Sequence, residues 1–219
     1  MTSIYTLTTW IIPLLLCIIL HEVAHGYVAL KLGDKTAWLM GRLNMNPAKH
    51  FDLIGCVFVP VFLLLIRSPI LFGWAKPVPV DFSRLNNPKR DTGLVAAAGP
   101  IANLLLAIVF VLVGRLALWL FPTVNPIMEW FIQNLKNGIT FSLVLACFNL
   151  LPILPMDGGR ILWSVLPKKL ANLYSQTEKY GLFILIGVLF LLPMMGLDLV
   201  GWFVGTLYPI FAGFVNIFI

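Results

Sequence analysis

Long apolar runs constrain the fold of this chain more than any other feature of its sequence. Several of them approach the roughly 20 apolar residues that a helix needs to cross a bilayer. Of the 219 residues, 60% are hydrophobic and only 11% are charged, and a soluble domain of this length could not bury so much apolar surface. The sequence therefore predicts an all-α polytopic membrane protein.

The apolar runs predict three long helices followed by two further membrane helices. The expected helices span about residues 4–32, 93–120, 138–147, 180–195 and 199–218. The third is broken at Pro152 and Pro155 and resumes after Asp157, because proline removes a backbone donor and clashes with the preceding turn. We expect one membrane domain, residues 1–219, with a core at about 4–166 and accessory helices at about 180–218.

The net charge of +6 does not indicate a nucleic-acid-binding protein. The basic residues are scattered among apolar runs and form no basic domain, which such a protein needs. Their placement instead fits the positive-inside bias of membrane proteins. The three cysteines each lie in an apolar stretch without paired spacing, so we expect neither a disulfide framework nor a cysteine zinc site.

The positions of lysine and arginine predict the membrane topology. Four basic residues follow the first helix and four precede the second, which places both segments on the cytoplasmic side. The apolar segment 53–71 lies between them and is too short for two full crossings. We therefore expect a re-entrant hairpin that turns near residues 67–69. The alternative is one true crossing, with residues 76–90 outside the cell.

The sequence His-Glu-Val-Ala-His at residues 21–25 lies on the first predicted helix. His21 and His25 are four residues apart, so they point from one helix face and can hold a zinc ion through imidazole nitrogens. Glu22 lies beside such a metal, where it can act as general base toward water. Ionisable groups inside a membrane helix are costly and usually functional. The alternative is that both histidines pack between helices, with Glu22 hydrogen-bonded to a neighbouring helix.

A catalytic zinc site usually takes a third protein ligand, and Asp157 is the acidic residue best placed to supply it. It follows the proline-broken segment within an apolar run and precedes two glycines. Broken backbone at membrane depth is tolerated where it is buried in protein or lines a cavity. Asp157 can also cap the helix that follows it. His21 lies about 25 Å along the first helix from its outer end, so both halves of the site are expected nearer the cytoplasmic face.

Three ordered motifs resemble those of the site-2 protease family of intramembrane zinc metalloproteases. They are the HExxH motif at residues 21–25, the sequence AAGPIAN at 97–103 and the sequence NLLPILPMDGGR at 149–160. The resemblance covers about residues 12–166. It implies a three-helix catalytic core that cleaves a membrane-embedded peptide.

The resemblance also implies roles for individual residues. One zinc ion per chain is held by His21, His25 and Asp157, and Glu22 is the general base. Asn149 is expected to bind the substrate strand or to donate a hydrogen bond to the developing oxyanion. Capping of the broken helix is the alternative role for Asn149.

Asn103 is a second candidate for contact with the substrate or the oxyanion. The alternative is that Asn103, together with Gly99 and Pro100, permits close helix contact and makes a shared hydrogen bond. The family commonly has an extended, membrane-entering β segment after its first core helix. Residues 74–80 fit that description, because Pro77 and its neighbouring proline disfavour helix and an extended segment offers an edge to an unwound substrate.

These features predict an intramembrane zinc metalloprotease that cuts within or near the transmembrane segments of membrane proteins, in regulated intramembrane proteolysis. We expect an integral protein of the cell (inner) membrane of a prokaryote. A membrane metal transporter would also place histidine and acidic residues in the bilayer, but it needs a polar path across, whereas these residues cluster at one depth. A catalytically inactive substrate-binding homologue is the other alternative, although every expected catalytic group is present.

Overall fold

A computed structural model describes residues 2–65, 73–121, 123 and 125–218 of the chain. The helices, in chain order, are α1 (Thr2–Lys31), α2 (Thr36–Leu39), α3 (Pro47–His50), α4 (Val59–Leu65), α5 (Pro88–Leu120), α6 (Pro126–Asn149), α7 (Asp157–Val165), α8 (Lys168–Ser175), α9 (Gly181–Ile186), α10 (Leu192–Met194) and α11 (Leu199–Asn216). A π-helical turn, Ile54–Phe58, precedes α4, and another, Gly187–Leu191, joins α9 to α10. The described residues include no strand, and the predicted all-α fold is confirmed.

Four helical regions are long and apolar enough to cross a membrane, and they are Ile4–Lys31, Pro88–Leu120, Lys168–Met194 and Leu199–Asn216. Large apolar side chains cover their outward faces; Trp119, for example, is 78% exposed. Lipid chains accommodate such surfaces, and a helix satisfies all of its backbone groups internally as the bilayer requires. The chain is therefore an integral membrane protein.

Two long helices begin earlier than the apolar pattern predicts. α5 begins at Pro88 rather than near residue 93, and α6 begins at Pro126 rather than near residue 138. Proline is favoured in the first turn of a helix, and at α6 the Asn125 side chain also accepts a hydrogen bond from a first-turn N–H. Polar residues interrupt the apolar run in the first half of α6, but Asn134 among them is buried in the protein and so is compatible with a helix.

Helices α1, α5 and α6 form a bundle with a close-packed interior. One apolar cluster joins them and is formed by Cys17, Leu106, Phe110 and Leu135. A Cβ atom at Gly138 would lie 2.5 Å from the Phe110 ring, so α6 approaches α5 more closely than any larger residue permits. Small residues at such crossings allow the van der Waals contact that drives helix association in membranes.

The region between α3 and α5 is less regular. The predicted turn at residues 67–69 lies outside the described residues. Residues 73–80, which we call the connecting segment, form neither helix nor strand. Its backbone N–H groups at Trp74 and Lys76 donate to the carbonyls of Gly55 and His50 respectively, at 3.2 and 2.9 Å. Both acceptors belong to helical turns, so these bonds do not extend into a β ladder.

Candidate active site

Two helices bring His21, His25 and Asp157 together. The Nε2 atoms of the two histidines lie 3.0 Å apart, and Asp157 Oδ2 lies 3.1 Å from His21 Nε2 and 3.3 Å from His25 Nε2. Both histidines are buried. Within the described part of the chain, this is the one group of three histidine, cysteine or acidic side chains whose ligand atoms converge enough for a metal ion.

The spacing and chemistry of this cluster fit a zinc ion. Ligand atoms around a tetrahedral zinc at ordinary bond lengths lie about 3.3 Å from one another, which matches the triangle seen here. Asp157 Oδ2 is buried and has no hydrogen-bond partner among the described residues, although both imidazoles face it. A buried carboxylate oxygen left without a donor is costly. A cation between the three side chains would satisfy it.

A hydrogen bond outside the cluster determines the protonation of His25. Its Nδ1 atom lies 2.7 Å from the backbone carbonyl oxygen of Val95 on α5. A carbonyl oxygen only accepts hydrogen bonds, so Nδ1 of His25 carries the proton. The neutral ring then presents a lone pair on Nε2, the form that a metal ligand requires.

Gly99 on α5 allows the two imidazoles to lie against that helix. A Cβ atom at this position would lie 2.4 Å from both His21 Cε1 and His25 Nε2. Atoms do not approach so closely without a shift, and both rings also face the Asp157 carboxylate. The close approach of α1 and α5 therefore requires glycine at this position. This agrees with the close helix contact that the sequence predicted as one role of Gly99, Pro100 and Asn103.

Asp157 is the first residue of α7 and follows an irregular turn that contains a cis Leu154–Pro155 peptide bond. Met156, not Asp157, occupies the N-cap position of α7, and its side chain makes no capping hydrogen bond. The carboxylate instead faces the histidines. Gly158 packs against the same turn, where a Cβ atom would lie 2.0 Å from the Leu150 carbonyl oxygen. The glycine after Asp157 therefore lets α7 begin directly against the turn that precedes it.

Glu22 contacts the connecting segment through one of its carboxylate oxygens. Its Oε2 atom accepts a 2.7 Å hydrogen bond from the backbone N–H of Val78. The segment is held in turn by Arg42, whose buried guanidinium donates from Nη2 to the carbonyls of Lys76 (2.9 Å) and Pro77 (3.2 Å). The Arg42 side chain thus holds the connecting segment, and the segment contacts the HExxH motif through the Val78 amide.

A second buried carboxylate fixes the end of the connecting segment. Asp34, fully buried beyond the end of α1, accepts a 2.8 Å hydrogen bond from the backbone N–H of Asp81 and another from Thr36. At Asp81 itself, hydrogen bonds from Ser83 and the nearby Arg84 hold the pKa of the carboxyl below its usual range. Neither Arg42 nor Asp34 is marked by its sequence neighbours, because both act through backbone groups that are distant in the chain.

The two asparagine candidates lie in different places. Asn149 ends α6, and its side chain donates a 3.0 Å hydrogen bond to the Leu145 carbonyl within the same helix. Asn103 is fully buried on α5, with its amide nitrogen 3.2 Å from His21 Nδ1. Asn103 thus lies directly beside a cluster histidine, whereas the role of Asn149 toward a substrate stays a prediction.

Comparison with known proteins agrees with this geometry. The model of peptidase family M50 matches residues 9–129 and 123–194. The chain is 38% identical over 185 residues to "Putative zinc metalloprotease YwhC" of Bacillus subtilis (strain 168), which covers 84% of this chain and 80% of that protein. No solved structure is significantly similar to the chain.

More distant relatives carry similar names. "Putative zinc metalloprotease Rip2" of Mycobacterium tuberculosis (strain ATCC 25618 / H37Rv) is 28% identical over 201 residues, or 90% of this chain and 70% of that protein. "Zinc metalloprotease MJ0392" of Methanocaldococcus jannaschii is 27% identical over 164 residues, or 75% of this chain and 36% of that protein. With the family model covering most of its length, the chain belongs to peptidase family M50, the site-2 protease family, and is a zinc metalloprotease.

Proposed function

We propose that this metalloprotease hydrolyses peptide bonds within or next to the transmembrane segments of membrane protein substrates. We assign zinc binding to His21, His25 and Asp157 and the role of general base to Glu22. The observation that carries the proposal is the convergence of three ligand atoms, two of them on α1, a helix long enough to span a membrane. A soluble protease has no reason to place this cluster among lipid-facing helices.

The side chains divide the chemistry between them. When bound, zinc polarises the peptide carbonyl and makes a water molecule more acidic. Glu22 accepts the proton of that water and delivers it to the leaving amine. The Val78 amide bonds Oε2 of Glu22, which leaves Oε1 as the oxygen that takes the proton. The buried setting excludes bulk water, so these charges act in a medium of low polarity.

A substrate helix must unwind before it is cut, because its carbonyls are hydrogen-bonded within the helix. The connecting segment lies beside Glu22 and is not part of a helix or sheet, and it therefore supports docking of an unwound substrate alongside it. Asn149 lies at the end of α6, just before the turn that carries Asp157, and we assign to its amide a hydrogen bond to the substrate strand or the oxyanion.

The cellular setting is part of the same proposal. The named relatives come from bacteria and an archaeon, which supports the cell (inner) membrane of a prokaryote and a role in regulated intramembrane proteolysis. The basic segments on either side of residues 53–71 support an active site nearer the cytoplasmic face. We treat residues 1–219 as one membrane domain, with the catalytic core at about 4–166 and accessory helices at about 180–218.

Substitution of Glu22 tests the catalytic assignment most directly. In proteoliposomes that contain a labelled single-span peptide, we expect Glu22→Gln to lower the cleavage rate by at least about 100-fold, as loss of a general base does. Zinc content should equal that of the wild type, since Glu22 is not a proposed ligand. The matched control is Glu129→Gln, the same change at an exposed glutamate of α6.

Two outcomes contradict the proposal. Cleavage by Glu22→Gln at the wild-type rate would remove Glu22 from the chemistry. Cleavage of soluble peptides with no activity on the membrane-spanning peptide would remove the proposed substrate class while leaving the metalloprotease assignment intact.

Labelling from the two sides of the membrane tests the orientation. In a Cys56→Ser background, we expect a cysteine introduced by Lys76→Cys to react with an impermeant thiol reagent from the cytoplasmic side. The opposite result is expected for Thr123→Cys between α5 and α6; both positions are exposed. Labelling of Lys76→Cys from outside the cell would establish the single-crossing alternative for residues 53–71.

A further inference from the structure

The histidines of the cluster both direct their second ring nitrogen at α5. His25 Nδ1 donates to the Val95 carbonyl at 2.7 Å. His21 Nδ1 lies 3.2 Å from the side-chain nitrogen of Asn103, one of the fully buried side chains of the molecule. Asn103 Oδ1 is also buried and has no hydrogen-bond partner among the described residues. As the amide is placed, its acceptor Oδ1 therefore has no hydrogen-bond partner, and its donor nitrogen lies next to the proposed ligand His21.

The chemistry of a metal-bound imidazole decides which atom of the amide faces the ring. A neutral histidine that offers Nε2 to a metal carries its proton on Nδ1, so Nδ1 is a donor. With the Asn103 nitrogen 3.2 Å from His21 Nδ1, two N–H donors would face each other and no hydrogen bond could form. Rotation of the amide by half a turn exchanges its nitrogen and oxygen, which have nearly the same shape. It places Oδ1 against the Nδ1–H of His21 and gives the idle acceptor a partner.

We propose that Asn103 is a positioning residue for zinc, and that it accepts a hydrogen bond from His21 Nδ1–H through Oδ1. This fixes the tautomer and ring plane of His21, as the Val95 carbonyl does for His25. The inference rests on the proposed assignment of His21 as a zinc ligand. It replaces contact with the substrate or oxyanion as the role of Asn103, because the amide is enclosed between α1 and α5.

The test compares a substitution that removes the hydrogen-bond acceptor of Asn103 with one that keeps it. Asn103→Leu has nearly the same shape but no acceptor, whereas Asn103→Asp keeps acceptor oxygens and loses the donor. Zinc affinity of the full-length protein in detergent is measured by competition with a chromogenic chelator. We expect Asn103→Leu to bind zinc about 10- to 100-fold more weakly, which is the usual effect of removing such a partner. Asn103→Asp should stay within a few-fold of the wild type, because a carboxylate accepts the same hydrogen bond.

Asn134→Leu is the matched control, because Asn134 is a second buried helix asparagine whose one side-chain hydrogen bond among the described residues is to a carbonyl of its own helix. Its zinc affinity should equal that of the wild type. His21→Ala distinguishes a wrong ligand assignment from a wrong role for Asn103. If His21→Ala binds zinc normally, the ligand assignment fails. If His21→Ala loses zinc while Asn103→Leu retains it, the ligand assignment stands and the role of Asn103 is overturned.

A spectroscopic measurement covers the case in which Asn103→Leu does not fold. The chain has three histidines, so a zinc-loaded His50→Gln protein labelled with 15N-histidine reports on His21 and His25 alone. We expect both rings to carry the proton on Nδ1. If His21 carries no proton on Nδ1 in the zinc-loaded protein while His25 does, the inference is overturned without any substitution at Asn103.

Discussion

Two of the proposed zinc ligands, His21 and His25, lie beside the proposed catalytic base on α1, but the ligands and the base are supported by different kinds of backbone. On the ligand side, α5 presents Val95, Gly99 and Asn103 from three successive levels of a regular helix. On the base side, Glu22 meets the connecting segment, which has no helix or strand and is tied down by Arg42. A rigid helix suits a metal site, where small displacements weaken binding, whereas an irregular segment leaves backbone groups available beside the base.

This difference implies that zinc affinity and turnover are separable properties. Changes on the α5 side should lower zinc affinity first and activity as a consequence. Changes on the side of the connecting segment should lower turnover in protein that is fully loaded with zinc. Three substitutions test this division, beginning with the largest expected effect.

Gly99→Ala should nearly abolish zinc binding. The added Cβ atom would lie 2.4 Å from ring atoms of both histidines, and relief of that overlap requires the ligands to move apart. We expect a loss of zinc affinity of about 100-fold or more, at or beyond the upper end of what supporting residues contribute. Zinc per chain after purification, together with chelator competition, measures the effect.

Gly114→Ala on the same helix is the control for Gly99→Ala. A Cβ atom at Gly114 would meet only a Leu135 methyl carbon at 3.5 Å, an ordinary contact. Its zinc content should match the wild type. Normal zinc binding by Gly99→Ala would mean that α5 does not constrain the ligands. It would contradict the proposal that α5 determines zinc affinity while the connecting segment determines turnover.

Arg42→Ala should lower turnover without lowering zinc affinity. It removes the donor of the hydrogen bonds to the carbonyls of Lys76 and Pro77, and a hydrogen bond from a charged group contributes about 1.5–3 kcal/mol. We expect a decrease in kcat of about 10-fold at saturating zinc, because the segment that bonds Glu22 is released. Arg84→Ala removes an exposed arginine near the end of the same segment and should have little effect.

Arg42→Lys refines the same prediction. Lysine keeps the charge but lacks the planar group of donors that reaches two carbonyls at once, so partial recovery of turnover is expected. An equal loss of zinc affinity and turnover in Arg42→Ala would contradict the proposed separation.

Gly26→Ala should have the smallest effect, although it lies next to His25 in the sequence. Its Cβ atom would lie 2.5 Å from a Leu43 methyl carbon and 2.7 Å from a methyl carbon of Val78. The leucine side chain is flexible, whereas valine is stiffer, so we expect the connecting segment to shift slightly. We expect turnover to fall by a few-fold, on the scale of about 1 kcal/mol for mild overpacking, with zinc affinity unchanged. Loss of zinc would place Gly26 on the ligand side.

The sequence predicted the parts of the site that depend on local geometry. The i, i+4 spacing of His21 and His25 determines that they share a helix face, and the proline-broken run before Asp157 marks an exception to regular membrane helix. Arg42 and the Val95 carbonyl gave no such signal. Arg42 acts on backbone carbonyls far along the chain, and any residue at position 95 supplies a carbonyl.

The fold could be predicted from the sequence to a similar extent. Apolar runs located the membrane helices, but the start of α6 was placed about twelve residues late. Apolarity identifies residues that face lipid, and the first half of α6 contains polar residues such as Asn134 that face other helices instead. Only the packed arrangement of α1, α5 and α6 reveals that these residues are enclosed.

The position of Asp157 at the start of α7 has a consequence for how the enzyme is made. His21 and His25 emerge early in synthesis, but their partner carboxylate follows only after α5 and α6 have been produced. A nascent chain that is still being inserted therefore has an incomplete set of the proposed ligands. Under the proposed ligand assignment, the order of the helices along the gene delays proteolysis until the catalytic bundle has been assembled in the bilayer.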